Sequence, residues 1–205
     1  VEGTDLSIYP KIVGDELSVT VSGPLLDTMG ITREEILEQA KANSQEEYTV
    51  RSMQEVMSEI YGMDMPLMAD NPMVVISNRE SRDGASAISN TSVLEQARQM
   101  TGSESIYLIP SSVHELIAIP ADDVQPQELA SMIRDVNGSV VDEKERLGAR
   151  PYHYDGQKLP QDILRTQPYP DRQELRLRPC TEHYRKKPQG KTSHLPLSGV
   201  VLSQR

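Results

Sequence analysis

Hydrophobic positions along this chain fall into short periods, and the most apolar stretch is residues 105–120, SIYLIPSSVHELIAIP. Two apolar runs, 106–109 and 113–119, flank a Pro110-Ser111-Ser112 break, which predicts a β-hairpin turning at that break. Upstream, Leu17, Val19 and Val21 alternate with polar residues and predict a half-buried strand stopped by Gly23-Pro24, while residues 8–13 read as an earlier strand interrupted by Pro10. Two helices follow with the same local signature. Thr32 and Glu35 can form a capping box between the staple positions Ile31 and Ile36, and Ser52 with Glu55 repeats the box. The first helix carries Ile36, Leu37 and Ala40 on one side and ends near Asn43-Ser44. The second presents Met53, Val56, Met57, Ile60 and Tyr61 and stops at Gly62.

After a Met/Pro linker at 63–72, Met73-Val74-Val75-Ile76 predicts a central strand, and 78–84 a charged turn ending in Gly84. Residues 85–88 are small and weakly apolar and predict a returning second strand. A third helix starts at Asn90, Thr91 or Ser92, with Glu95 placed to complete a box with Ser92; it buries Val93, Leu94, Ala97 and Met100. A fourth has Pro126 near its first position, a stripe of Leu129, Met132, Ile133 and Val136, and Asn137-Gly138 at its close. Together these predict an α+β fold: a small antiparallel or mixed sheet centred on hairpin 105–120, packed by about four short amphipathic helices. Residues 1–150 read as one domain, with a strand and helix pair in 1–68 and a core unit in 73–138. Residues 151–205 hold seven prolines and no apolar period, and read as a disordered or loosely packed tail, with the Tyr152-His153-Tyr154-Asp155 cluster at its edge open to assignment to the body.

Composition changes this picture in two ways. With no Phe, no Trp and nine Met, the core must be aliphatic and Met-filled. The net charge of −10 is uneven, −15 over residues 1–150 and +5 over residues 151–205. An acidic body repels phosphate backbones, which argues against nucleic-acid binding by the main domain. No apolar run approaches the ~18 residues of a membrane span, and the lone Cys180 rules out an intrachain disulfide scaffold, which fits a cytoplasmic location.

Candidate chemistry is sparse. Ser111, Ser112, His114 and Glu115 form the one cluster in which a hydroxyl, an imidazole and a carboxylate meet, the set a nucleophilic hydrolase or transferase would use. Adjacent His114 and Glu115 point to opposite faces of a strand, whereas Ser112 and His114 share one. Turn chemistry explains the same residues: the serines hold the hairpin by bonds to backbone and the His-Glu pair specifies the strand start. Cys180, His183, His194 and His153 lack the paired spacing of a zinc site, and Met63 and Met65 are loop residues before they are soft metal ligands. Asp122, Asp123 and Glu128 complement a helix N-terminus; Arg79, Glu80, Arg82 and Asp83 read as a solvated turn. There is no phosphate loop, dinucleotide fingerprint, zincin motif or cysteine pair, so no cofactor is implied.

The Pro110-Ser111-Ser112-Val113-His114-Glu115 turn, Asn137 after the fourth helix and Tyr152-His153-Tyr154-Asp155 resemble an uncharacterised bacterial family, a domain of unknown function from gut Clostridia and relatives. The strand, Gly-Ile-Thr turn and helix over 29–43, the helix start at Ser52-Met53 and the strand and charged turn of 75–84 fit the same order. The resemblance covers about residues 17–155 and implies membership without an activity. It also implies a domain longer at its N-terminus, and Leu147-Gly148-Ala149-Arg150-Pro151 departs from the polar linker expected there. Three functional expectations follow: an acidic cytoplasmic binding or regulatory module with a protein or small-ligand partner, a hydrolase or transferase using Ser112 and His114, or a truncated remnant with a non-native tail.

Overall fold

A computed structural model describes residues 1, 3–13, 18–63, 72–122 and 124–162, and the backbone of residues 200–204. The fold is α+β. Strands β1 (Leu6–Val13) and β2 (Ser18–Thr20) lead into helices α1 (Gly23–Met29) and α2 (Arg33–Gln45). Then come β3 (Tyr48–Ser52), α3 (Met53–Tyr61), β4 (Val74–Asn78), a 3-10 helix (Gly84–Ser89) and α4 (Thr91–Thr101). The hairpin strands β5 (Ile106–Ser112) and β6 (Glu115–Pro120), helix α5 (Pro126–Ser139), β7 (Tyr152–Tyr154), β8 (Gln161–Asp162) and β9 (Val200–Gln204) complete the described elements.

Six strands form one antiparallel sheet in the order β3-β4-β6-β5-β7-β8, so the predicted hairpin occupies its two central positions. A second antiparallel sheet has the order β2-β1-β9. Alternation along the strands divides the large sheet's side chains between two cores. On one face Val74, Ile76, Ile106, Leu108, Leu116, Ala118, Tyr152 and Tyr154 pack against the 3-10 helix, α4 and Leu6 of β1. On the other, Tyr107 and Ile119 pack against Leu129 and Ile133 of α5.

Both predicted capping boxes form. The Thr32 hydroxyl accepts from the Glu35 amide at 3.2 Å while Glu35 Oε2 accepts from the Thr32 amide at 2.9 Å, and Ser52 and Glu55 repeat those distances. The box expected between Ser92 and Glu95 does not form. Asn90 caps α4 by accepting from the Ser92 and Val93 amides, leaving Glu95 to pair with Arg98.

Other expectations need correction. Residues 85–88 are a buried 3-10 turn and not a strand, because Asp83 adopts a left-handed conformation (φ 59) and the Ser86 hydroxyl bonds back to the Asp83 carbonyl, curling the chain. The hairpin turns at Val113-His114; Pro110, Ser111 and Ser112 continue β5, with a register shift between Pro110 and Ser112. β2 ends at Thr20, ahead of Gly23-Pro24, which opens a helix α1 that the pattern does not predict, the proline taking a first-turn position that needs no amide hydrogen. Val19 is exposed on the outer strand β2 while Val21 is buried; Leu17 lies outside the described residues. Met100 is exposed at the end of α4.

The start of the expected tail region, 152–154 and 161–162, is strand paired to the body. Tyr152–Tyr154 pairs with Ile106–Leu108 and Gln161–Asp162 pairs with β7, because two buried tyrosines supply the apolar area that the proline-rich composition conceals. Residues 200–204 pair with β1, and residues 163–199 lie outside the described residues.

Candidate functional site

The hairpin tip is held by its own polar groups, and each of the predicted site residues has a defined contact there. Ser112 Oγ accepts from the His114 amide at 3.0 Å, fixing the turn as a serine turn does. Ser111 Oγ donates to Glu115 Oε1 at 3.1 Å across the hairpin mouth. The imidazole of His114 faces away from Glu115: its Nδ1 accepts from the Asp83 amide at 3.2 Å, and its Nε2 lies 3.3 Å from Glu145 Oε1. An accepting Nδ1 places the neutral ring's proton on Nε2, directed at the Glu145 carboxylate.

Backbone contacts bind the same segments together. Ser77 Oγ donates to the His114 carbonyl at 2.8 Å, the Ala85 amide to the Val113 carbonyl at 3.3 Å, and the Val113 amide to the Glu145 carbonyl at 2.9 Å. Lys11 of β1 completes the cluster through a 2.7 Å ion pair with Asp83, whose charge adds to burial in pushing the Tyr9 phenol pKa up. The tip is therefore a joint between β1, β4, the 79–84 turn and the 142–147 loop.

Catalysis by Ser112 and His114 would require the hydroxyl to donate to the imidazole. Among the described residues that bond is absent: Ser112 accepts from backbone, and both ring nitrogens have other partners. The structure thus brings His114 to Asp83 and Glu145 and separates it from Glu115. The contacts match the turn chemistry of these residues, and sequence alone could not place Asp83 or Glu145 beside them.

The remaining candidates are tied up singly. Asp122 accepts from Ser103 Oγ at 2.8 Å; Asp123 lies outside the described residues. Arg79, Glu80 and Arg82 are exposed on a turn closed by Asn78, whose side chain bonds both the amide and the carbonyl of Arg82. His153 stacks obliquely on Tyr107, ring centroids 5.6 Å apart, while Cys180, His183, His194 and Met65 lie outside the described residues. Among the described residues no three His, Cys, Asp or Glu side chains converge as metal ligands would.

Sequence reading missed a second polar cluster. Tyr152 donates to Asp5 Oδ1 at 2.5 Å, and Arg150 pairs at 2.6 Å with Asp162, whose side chain is 1% exposed. Burial, then the Asp5 carboxylate, pushes the Tyr152 phenol far above its ordinary range. The groups come from the two ends of the described domain and carry no linear motif, so only the Tyr-His-Tyr alternation hinted at them. A cleft between α2 and the start of α4, lined by Lys41, Gln45, Tyr48, Ser89, Asn90 and Thr91, encloses about 120 Å³. That is below the ~300 Å³ at which small-molecule sites begin. Its Tyr48 and Asn90 already bond within the protein.

Two helices carry apolar side chains outward. The predicted stripe of α5 is divided: Leu129 and Ile133 are buried, but Met132 is 62% and Val136 49% exposed, with Val140 79% exposed just beyond. Met132 and Val136, four residues apart, are neighbours on the helix surface at the edge of the buried stripe, and Val140 is the residue that caps the helix end. On α3 no residue is fully buried, and Ile60, Tyr61 and Met63 are exposed at its end.

No helix among the described residues is long and apolar enough to cross a membrane. Neither the curated proteins nor the solved structures offer a match. A family model does match, over residues 3–156, a span that takes in the hairpin tip, the tyrosine strand β7 and the earlier resemblance at about 17–155. On that match the chain belongs to a family of unknown function, DUF5688.

Proposed function

We infer that this chain is a non-catalytic binding or regulatory module of the cytoplasm, and that its partner is a protein presenting an apolar surface with a basic margin. The observation that carries this reading is the exposed edge of the α5 apolar stripe. Met132, Val136 and Val140 are in solvent, although the helix already buries Leu129, Ala130 and Ile133 on its inner side. Apolar area displayed in one row is what partner-binding helices present, and methionine suits a surface that adapts to its partner. Exposed Glu128 and Asp135 lie beside the row on the same side of the helix, whereas Arg134 lies on the opposite side. With the body at −15, charge complementarity favours a partner bearing Lys or Arg around its apolar contact and disfavours nucleic acid.

A Leu/Lys model amphipathic helix is a suitable probe. Titrated into the chain carrying ¹³C-methyl methionine, it is expected to shift the Met132 methyl signal, and Met132→Glu/Val136→Glu should abolish binding without lowering thermal stability. No shift at Met132 at millimolar peptide, or equal binding by the double variant, would overturn the reading.

A further inference from the structure

We propose that the outer flank of β1 is a strand-acceptor site, occupied in this chain by its own residues 200–204 acting as a tethered ligand. The site is distinct from the α5 surface and does not rest on the function proposed above.

The geometry of β1 supports this first. The Val21 amide donates to the Pro10 carbonyl at 3.0 Å, so Pro10 turns its bonding side, and its missing N–H, toward β2. Antiparallel alternation then turns Ser7 and Tyr9 to the opposite flank, where each offers both a donor and an acceptor. The proline leaves the outer ladder intact, a placement that a strand meant to be paired on that side requires. Residues 200–204 run antiparallel along it, with Ser7 opposite Ser203 and Tyr9 opposite Val201.

The second observation is the origin of the two strands. β1 lies inside the segment 3–156 that the family model matches, whereas β9 lies beyond it. The family's shared segment thus carries the acceptor and not this donor. The seat is also built by more than one strand, since β9 packs against the 3-10 helix and α2 as well as β1. The donor sequence, Val-Val-Leu-Ser-Gln, is uncharged within a region of net charge +5. The class of ligand is therefore a short, uncharged, extended segment, held chiefly by main-chain hydrogen bonds.

The test uses the full chain. Val201→Pro removes the amide that faces Tyr9 and inserts a ring into the ladder. The variant should keep its circular dichroism and cooperative melting, and bind a labelled peptide of residues 197–205 at least about tenfold more tightly than the wild type, whose site is filled. The same peptide carrying Val201→Pro should bind neither protein. Equal binding by variant and wild type, no binding by a folded variant, or loss of the fold in the variant would each overturn the proposal, the last by making β9 part of the core. Independently, Ile8→Cys/Leu202→Cys in a Cys180→Ser background places thiols at a non-bonded pair and should cross-link within one chain on oxidation. Cross-linking between chains would overturn occupancy by the chain's own segment.

Discussion

Replacing Gly84 with alanine should loosen the joint at the hairpin tip, and the structure sets the size of the effect. A Cβ built on Gly84 would lie 2.6 Å from the His114 carbonyl oxygen, 2.6 Å from Ser77 Cα and 2.7 Å from the Asn78 nitrogen. All three are backbone atoms, so no side-chain rotation relieves the contact. The chain would have to move by roughly 0.7–0.8 Å to restore ordinary van der Waals distance. Overpacking of this kind costs about 1–3 kcal/mol. The movement separates the 3-10 helix from the hairpin and strains the bonds from Ser77 Oγ to the His114 carbonyl and from the Ala85 amide to the Val113 carbonyl, each worth about 1 kcal/mol. A stiffer unfolded chain returns about 0.4–1 kcal/mol. The net expectation is a loss of about 2–4 kcal/mol, read by urea unfolding with the slope unchanged and as a melting temperature lower by roughly 4–16 °C. Gly138→Ala is the internal control: nothing lies within 4 Å of a Cβ there, so the helix should gain about 0.5–1 kcal/mol. A Gly84→Ala protein within about 0.5 kcal/mol of wild type would refute the placement of the 3-10 helix against the hairpin, because ordinary surface substitutions stay within that range.

Three further outcomes are expected. Ser52→Ala removes the hydroxyl that accepts from the Glu55 amide and should cost about 1 kcal/mol in chemical denaturation, with Ser52→Thr retaining most of the stability. Arg150→Met removes the guanidinium that pairs with the buried Asp162 carboxylate and should lower stability by about 1 kcal/mol or more, of which Arg150→Met/Asp162→Asn recovers a measurable part; equal losses would show that the pair is not coupled. Hydrogen bonds from Arg98 and then Gln99 hold the Glu95 carboxyl at about 2, so its contribution to stability is present above its ordinary value of 4.5 and lost as pH falls through about 2. A carboxyl-carbon NMR titration should show that midpoint, and Arg98→Met should return it toward the ordinary range.

Legibility in the sequence followed the range of the interaction. The boxes at Thr32/Glu35 and Ser52/Glu55 join residues three apart, and both could be read directly. The central place of hairpin 105–120 was legible because no other stretch carries as much apolar surface. The strand Tyr48–Ser52 was not, since Tyr48 and Val50 are its only apolar residues and its stability comes from pairing with Val74–Asn78. The Gly-Ala-Ser-Ala-Ile segment has a pattern equally suited to a strand; the left-handed Asp83 and the close approach at Gly84 decide for a 3-10 turn. At the tip, Ser112 as a turn residue was legible, whereas the meeting of His114 with Asp83 and Glu145 depends on three separate loops. The exposed side of α5 was hidden for a related reason: helical periodicity groups Met132 and Val136 with Leu129 and Ile133, and only the sheet's position shows which of them it covers.

The distribution of side-chain size bears on where function resides. The core of the large sheet is completed by Ala85, Ser86, Ala87, Ala97 and Ala118, all buried, in a chain with no Phe or Trp to fill space. Yet Ile60, Tyr61, Met132, Val136 and Val140 stay in solvent, where their burial energy contributes nothing to folding. Stability alone gives no reason for such an arrangement, because polar residues at those positions would fold as well and aggregate less. The hairpin tip shows the opposite economy: Ser77, Ser111, Ser112, Asp83, His114 and Glu145 all have partners and so have little capacity left for a substrate. Chemistry-bearing residues therefore secure the fold, and apolar ones are left at the surface. That inversion is the reason to look for this domain's activity in what its helices and strand edges bind.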